Sequence, residues 1–203
     1  ADLGESFGAW SMGDDDAMLT IVNSANIACG FHAGDPLVMR QTVHLAVRNG
    51  VSIGAHPAFP DLQGFGRRLM HMAADELQAS ILYQIGALQA MAQAEGARVS
   101  HVKPHGALNN VACKDPGVAD TVVRAIQSLD PTLLLLAPAL SELTRAAQRV
   151  GLPAGGVESQ HVETARLLGQ RIPTDQLLQM RDQQAAPPQV QLNAGQLLDR
   201  QPP

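Results

Sequence analysis

Three short segments end an apolar stretch in a histidine: Cys29-Gly30-Phe31-His32 with Asp35 just beyond, Gly54-Ala55-His56-Pro57, and Lys103-Pro104-His105-Gly106. A neutral imidazole in such a place can bind a metal, take a proton or donate to an oxyanion. Asp2, Glu5, Asp35 and Asp61 occupy similar positions, so carboxylates are at hand to orient or charge those rings. If each histidine closes a strand that a helix follows, all three lie at the carboxyl edge of one parallel sheet. That edge is where α/β folds and barrels carry their chemistry.

The elements that must position them alternate along the first three quarters of the chain. Ser24 to Phe31 is short and apolar and reads as a strand buried on both faces. Asp35-Pro36 supplies a helix cap and a first-turn proline. Met39, Val43, Ala46 and Val47 then recur at helical spacing up to Gly50. Val51 to His56 is the next strand. The loop from Pro57 to Met72 is long for a βα connection, which predicts a functional or mobile segment. Leu77, Ile81, Ile85, Leu88 and Ala92 stripe a long helix that stops at Gly96.

Val99 to His105 reads as a strand whose alternation puts Val99, His101, Lys103 and His105 on one face. Such a face is costly to bury without polar partners, which predicts a polar cavity. Asp115-Pro116 opens a helix striped by Val118, Val122, Ile126 and Leu129; Leu133 to Ala137 is an all-apolar strand; Ser141 to Val150 is a helix ending at Gly151. Repeated β-α units imply a parallel sheet with right-handed crossovers, and periodicity alone leaves barrel and open sheet both standing. From Gly156 onward there are ten glutamines against eight before it, with no aromatic residue and no lysine. The expectation is a body over residues 1–155 and a Gln/Pro-rich tail over 156–203, partly helical or disordered, with no strand after Leu152.

Composition narrows the function classes. The chain has 203 residues, 45% hydrophobic and 16% charged, enough for one domain with a sizeable core. A net charge of −5 with only two lysines, Lys103 and Lys114, argues against a nucleic-acid or acidic-membrane partner. No signal-peptide pattern and no membrane-length apolar run is present, so a cytoplasmic location is the expectation. Cys29 and Cys113 lack metal-ligand spacing, and Cys29 in an apolar strand reads as a small buried hydrophobe.

Each candidate has a plainer reading. Asp35 is a helix cap before it is a catalyst, and His56 alone could be a satisfied strand-end histidine. Lys103 is either an electrophile facing a carboxylate or phosphate, or the partner of Asp2 or Glu5 in a salt bridge. His44 on a helix and His71 in a loop read as surface residues, His101 as a packed, hydrogen-bonded one, and His161 receives no role. Gly64-Phe65-Gly66-Arg67-Arg68 could hold an anion between backbone amides and guanidinium groups. There is no P-loop and no G-x-S-x-G nucleophile.

In this order, these residues resemble the LamB/YcsF family, the A subunits of 5-oxoprolinase. The matching stretches are 1–8 (ADLGESFG), 24–36 (SANIACGFHAGDP), 54–57 (GAHP), 60–68 (PDLQGFGRR) and 101–108 (HVKPHGAL). The resemblance runs from residue 1 to about Val150. It implies an irregular parallel β/α barrel of the glycoside hydrolase/deacetylase type. It also implies one component of an ATP-dependent enzyme, with magnesium, that opens 5-oxoproline to glutamate together with subunits B and C. Asp2 and Glu5 match the family's acidic N-terminal motif, His32 and Asp35 its F-H-A-G-D, His56 its A-H-P, and Lys103 and His105 its K-P-H-G. Ala58 and Asn109 stand where the family has glycine and tyrosine. The strand-forming segment before Ala1, the later F-A-D-R and the final H-G-D are not found. The barrel is therefore expected to be incomplete at its C-terminus, with the first strand shortened and Leu133 to Ala137 short of neighbours.

On this reading Lys103, Arg67 and Arg68 meet anionic oxygens, and Asp35 and Asp61 help to bind substrate or phosphate. His32, His56 or His105 positions or deprotonates water while Asp2 or Glu5 fixes an imidazole tautomer. Two alternatives stand beside it. A metal-dependent deacetylase or amidohydrolase would hold a divalent ion on His32, His56 and Asp2. An inactive truncated remnant would only bind partner subunits.

Overall fold

The computed structural model describes residues 1–157. Six parallel strands pair in chain order: β1 (Asp2–Leu3), β2 (Ser24–Ala28), β3 (Ser52–His56), β4 (Val99–Val102), β5 (Leu134–Pro138) and β6 (Ala154–Val157). The helices are α1 (Asp15–Leu19), α2 (Pro36–Arg48), α3 (Ala74–Ala94), α4 (Gly106–Ala112), α5 (Pro116–Leu129) and α6 (Glu142–Val150). A doubly wound sheet reverses its strand order at a switch point. This sheet never does, so right-handed crossovers deposit successive helices on one side. That is the winding of a β/α barrel wall. Among the described residues β1 and β6 are each paired on one side only.

Register sorts the strand residues into two kinds of row. Leu3, Ile27, Ala55, Val102 and Leu135 align across the sheet. They belong to the core with Val43 of α2, Ile81 and Leu88 of α3, and Ile126 of α5. The alternate row is Asp2, Asn26, Gly54, His101 and Leu134. It faces the side away from the helices, which a barrel would enclose. The polar row is therefore the wall of the site.

The helices begin where the sequence directs. Asp35 caps α2 by accepting from Leu37 N and Val38 N, Asp115 caps α5 in the same way, and each is followed by a proline. Ser141 caps α6, and Gly151 ends it in the left-handed region at φ 72°.

Several expectations are corrected. A strand does follow Leu152: β6 pairs with β5 from Leu135↔Ala154 to Pro138↔Val157. Its sequence, Ala-Gly-Gly-Val, carries no period-two pattern, so only the pairing reveals it. β5 consequently has neighbours on both sides. β1 is present but two residues long. The strand read as Val99 to His105 stops at Val102, although Lys103 N still donates to Ala55 O at 2.9 Å and His105 N to Pro57 O at 2.8 Å. Pro104 has no N–H to continue the ladder. The expected tail lies outside the described residues beyond Val157.

Candidate active site

The inner face is built in layers. In the lower one, the His101 ring lies directly over Gly54, where an added Cβ would stand 2.0 Å from Nε2. Nε2 is 3.0 Å from Asn26 Oδ1 and 3.2 Å from Ser24 Oγ, and Nδ1 is 2.9 Å from Ser100 Oγ. Burial pushes the His101 pKa down to about 4, so it is a neutral, hydrogen-bonded ring. It supports the layer above, where Ala28 aligns with His56 and Lys103 follows β4 two residues after His101.

In that upper layer His32, His56 and His105 meet, each buried. His32 and His105 stack with ring centroids 3.9 Å apart, and His56 stands edge-on to both. His56 Nδ1 is 2.6 Å from Lys103 O, and His105 Nε2 is 2.8 Å from Phe65 O. A carbonyl only accepts, so both of those ring nitrogens carry hydrogen. The other nitrogens, His56 Nε2 and His105 Nδ1, face each other at 3.0 Å. His32 Nε2 lies 3.5 Å from Glu5 Oε1. Both His32 nitrogens and Glu5 Oε1 are buried without a hydrogen-bond partner. Burial lowers the His32 pKa despite the neighbouring Glu5, and lowers that of His105 to about 4.

Beside this cluster Lys103 Nζ binds both oxygens of Asp2, at 2.8 and 3.0 Å. Asn26 Nδ2 also donates to Asp2 Oδ1 at 2.8 Å, and Asp2 Oδ2 lies 3.5 Å from His56 Nε2. Burial works to raise the Asp2 pKa, but hydrogen bonds from His56 and Lys103 and the Lys103 charge outweigh it, so Asp2 stays ionised well below the usual carboxylate range. A polar cleft of about 280 Å³ opens here, lined by Asp2, His56, Arg67, Lys103, His105 and Asn109. On the other side of the histidines lies a mostly apolar cleft of about 340 Å³, walled by Glu5, Phe7, Trp10, Met12, His32 and Phe65.

The remaining residues singled out from sequence lie apart. Asp35 caps α2, and its Oδ2 accepts from Gly8 N at 2.7 Å, which pins the segment after β1. Asp61 is buried and spends its carboxylate inside its own loop, accepting from Gly64 N, Arg68 N and the Arg68 guanidinium. The Arg68 bonds hold the Asp61 pKa below its usual range. Arg68 is thus committed to Asp61, whereas Arg67 reaches the polar cleft. The long loop is therefore built around one carboxylate. Burial pushes the Cys29 thiol up to about 12, which leaves it a packed hydrophobe. His44 pairs with Glu95 on the surface, His71 is exposed, and His161 lies outside the described residues.

Three contributors gave little sign in the sequence. Asn26 links His101 to Asp2 from within an apolar strand. Phe65, at φ 55°, turns its carbonyl toward His105 and its ring toward His32. Gln84 of α3 brackets Ala58 by accepting from its N–H and donating to its carbonyl, both at 2.9 Å, which fixes the chain after His56. Only Gln84 had a signal, as an amide on the buried face of an apolar stripe.

The A subunit of 5-oxoprolinase from Azoarcus sp. (strain BH72) is 68% identical over 152 residues, which is 75% of this chain and 59% of that protein. The corresponding A subunit from Geobacillus thermodenitrificans (strain NG80-2) is 57% identical over 151 residues, covering 74% of this chain and 59% of that protein. The chain thus spans about three fifths of the length of these curated relatives. The crystal structure of a lactam utilization protein from Thermus thermophilus superposes with a TM-score of 0.75 at 46% identity, covering 76% of this chain and 62% of that one. The model of the LamB/YcsF family matches residues 1–177, and the chain belongs to the LamB/YcsF family.

Proposed function

We propose that this chain is the lactam-handling component of an ATP-dependent 5-oxoprolinase, working in the cytoplasm with subunits B and C. The observation that carries the reading is the meeting of the Asp2–Lys103 pair with three buried imidazoles at the carboxyl edge of the sheet. Its support from outside the chain is the name its relatives bear, that of the 5-oxoprolinase A subunit. Resonance makes a lactam carbonyl a poor electrophile. ATP, with magnesium, supplies the activation by phosphorylating the carbonyl oxygen. One water adds to the activated carbon and the ring C–N bond breaks, the nitrogen leaving with the bonding pair and a proton; a second water hydrolyses the resulting acyl phosphate and releases phosphate. The sum is 5-oxoproline, ATP and two waters giving glutamate, ADP and phosphate.

Each group has a task. The Lys103 ammonium and Arg67 in the polar cleft attract the substrate carboxylate or the phosphorylated oxygen. Asp2 keeps the Lys103 ammonium in place with two of its hydrogens, leaving the third to the ligand. The imidazole cluster with Glu5 orients the water and receives its proton. Asp35, Asp61 and Arg68 act on the framework that holds Gly8 and the Gly64–Arg68 loop beside the cleft. The test is glutamate formation from 5-oxoproline and ATP, with and without the partner subunits. Turnover that needs both chain and partners supports the proposal. Complex formation without turnover would reduce the chain to a binding component.

A further inference from the structure

We infer that Glu5, His32, His56 and His105 form a binding site for one divalent transition-metal ion of zinc's type. The inference goes beyond the lactam reading and stands on geometry alone. The three imidazole nitrogens and one carboxylate oxygen all lie within 4.8 Å of one another.

Two observations point to a cation at this spot. The first is that His56 Nε2 and His105 Nδ1 turn toward each other at 3.0 Å, while the other nitrogen of each ring is engaged by a backbone carbonyl, Lys103 O for His56 and Phe65 O for His105. His56 Nε2 also lies 3.5 Å from Asp2 Oδ2, so either a proton or a metal ion joins these two nitrogens, and the experiment below separates the two. The second observation is that His32, 1% exposed, offers ring nitrogens that nothing in the described residues satisfies, as does Glu5 Oε1. Buried polar atoms without partners are rare in native folds and call for an occupant.

The donor set identifies the ion's class. Three imidazoles and a carboxylate suit zinc and its neighbours, whereas magnesium and calcium take oxygen ligands. Corners of a tetrahedral zinc site lie about 3.4 Å apart for bonds of about 2.05 Å. The His56–His105 contact at 3.0 Å and the His32–Glu5 contact at 3.5 Å bracket that edge. The four donor atoms as a group lie within 4.8 Å of one another, wider than that edge, so the Glu5 and imidazole side chains draw in when the ion binds. The Lys103 and Phe65 carbonyls play the part of the outer partners that orient metal-bound histidines and fix their tautomers. Asp2 stays outside the ligand set, since Lys103 and Asn26 hold its oxygens. This differs from the His32, His56 and Asp2 set expected from sequence, because Glu5, and not Asp2, faces His32.

The experiment uses the full chain, stripped with chelator and dialysed, with Zn²⁺ and Co²⁺ as probes. The expected result is one equivalent of Zn²⁺ bound, and visible d–d absorption from Co²⁺ that Zn²⁺ displaces. Glu5→Gln and His105→Gln should each weaken binding at least tenfold, while His44→Gln and His71→Gln leave it unchanged. Glu5 is the safer variant because its side chain is partly exposed, and circular dichroism checks that each variant is folded. No uptake by the parent chain would mean that a shared proton alone joins His56 to His105, and the proposal fails. Uptake that Glu5→Gln and His105→Gln leave intact would place the metal elsewhere and fail it equally. The readout here is metal bound to the chain alone, with no substrate or partner, so its failure leaves the lactam reading to be tested by turnover.

Discussion

Lys103 is held by a carboxylate yet faces a cleft, so its role in chemistry can be separated from its role in folding. Asp2 would keep its Asn26 bond and partial solvent contact without Lys103. Lys103→Met should therefore cost little stability, about 1 kcal/mol by thermal melts, while turnover in the complex with its partners falls by about 100-fold or more. A variant that melts far earlier with activity per folded molecule intact would make Lys103 a structural ion-pair partner. His101 predicts a pH dependence. Its pKa is pushed from 6.5 down to about 4 by burial. The unfolded chain takes up a proton near 6.5 that the folded chain refuses until about 4. The stability His101 contributes is complete above pH 6.5 and is lost as pH falls toward 4, roughly 3 kcal/mol in all. His105 shifts in the same direction. The Tm should drop steadily between about pH 7 and 5, and a flat or rising Tm there would mean that the buried rings are already charged.

At the scale of elements, the inner layer depends on one missing side chain. Gly54→Ala drives a methyl into the His101 ring, both being buried in the wall. The expected loss is about 3 kcal/mol or more by denaturant unfolding. In a His101→Ala background the same change should cost much less, because the ring that it meets is gone. Equal costs in both backgrounds would place the strain in the backbone. Asp35→Ala removes the α2 cap and the bond to Gly8, for a loss of about 1–2 kcal/mol; a loss of a few tenths would show that neither bond bears on the fold. The sequence carried these elements unevenly. The histidine cluster was legible because strand alternation gives Lys103 and His105 the parity of His101, and because each histidine ends an apolar run. Asp35-Pro36 and Asp115-Pro116 announced their helices through side-chain chemistry. β6 stayed hidden because Ala-Gly-Gly-Val has no period. The short helix α1 did so because its anchor is tertiary: Asp15 accepts from Gly4 N and Thr42 Oγ1. Phe65's part was invisible because a carbonyl performs it, and any residue type has one.

At the scale of the whole molecule, the single-direction winding of the sheet is what makes a site possible. It collects every strand end on one rim and keeps the helices to one side, so the opposite face is free to be polar. The result is a wall of imidazoles and an ion pair with a polar cleft on one flank and an apolar cleft on the other. No helix among the described residues is long and apolar enough to cross a membrane. The central claim is that this wall performs lactam chemistry. Its most direct test is the rate of ATP-dependent glutamate formation from 5-oxoproline by the complex of this chain with its partner subunits, compared between the parent and Glu5→Gln, normalised to folded protein. Glu5 reaches the histidine cluster but caps no helix and pairs no strand, so its loss leaves the framework of the site in place. The account predicts a fall of about 100-fold or more, the usual scale for a positioned acid–base group. A rate within about threefold of the parent, below about 1 kcal/mol in barrier, would contradict it and move the reaction to another surface of the complex.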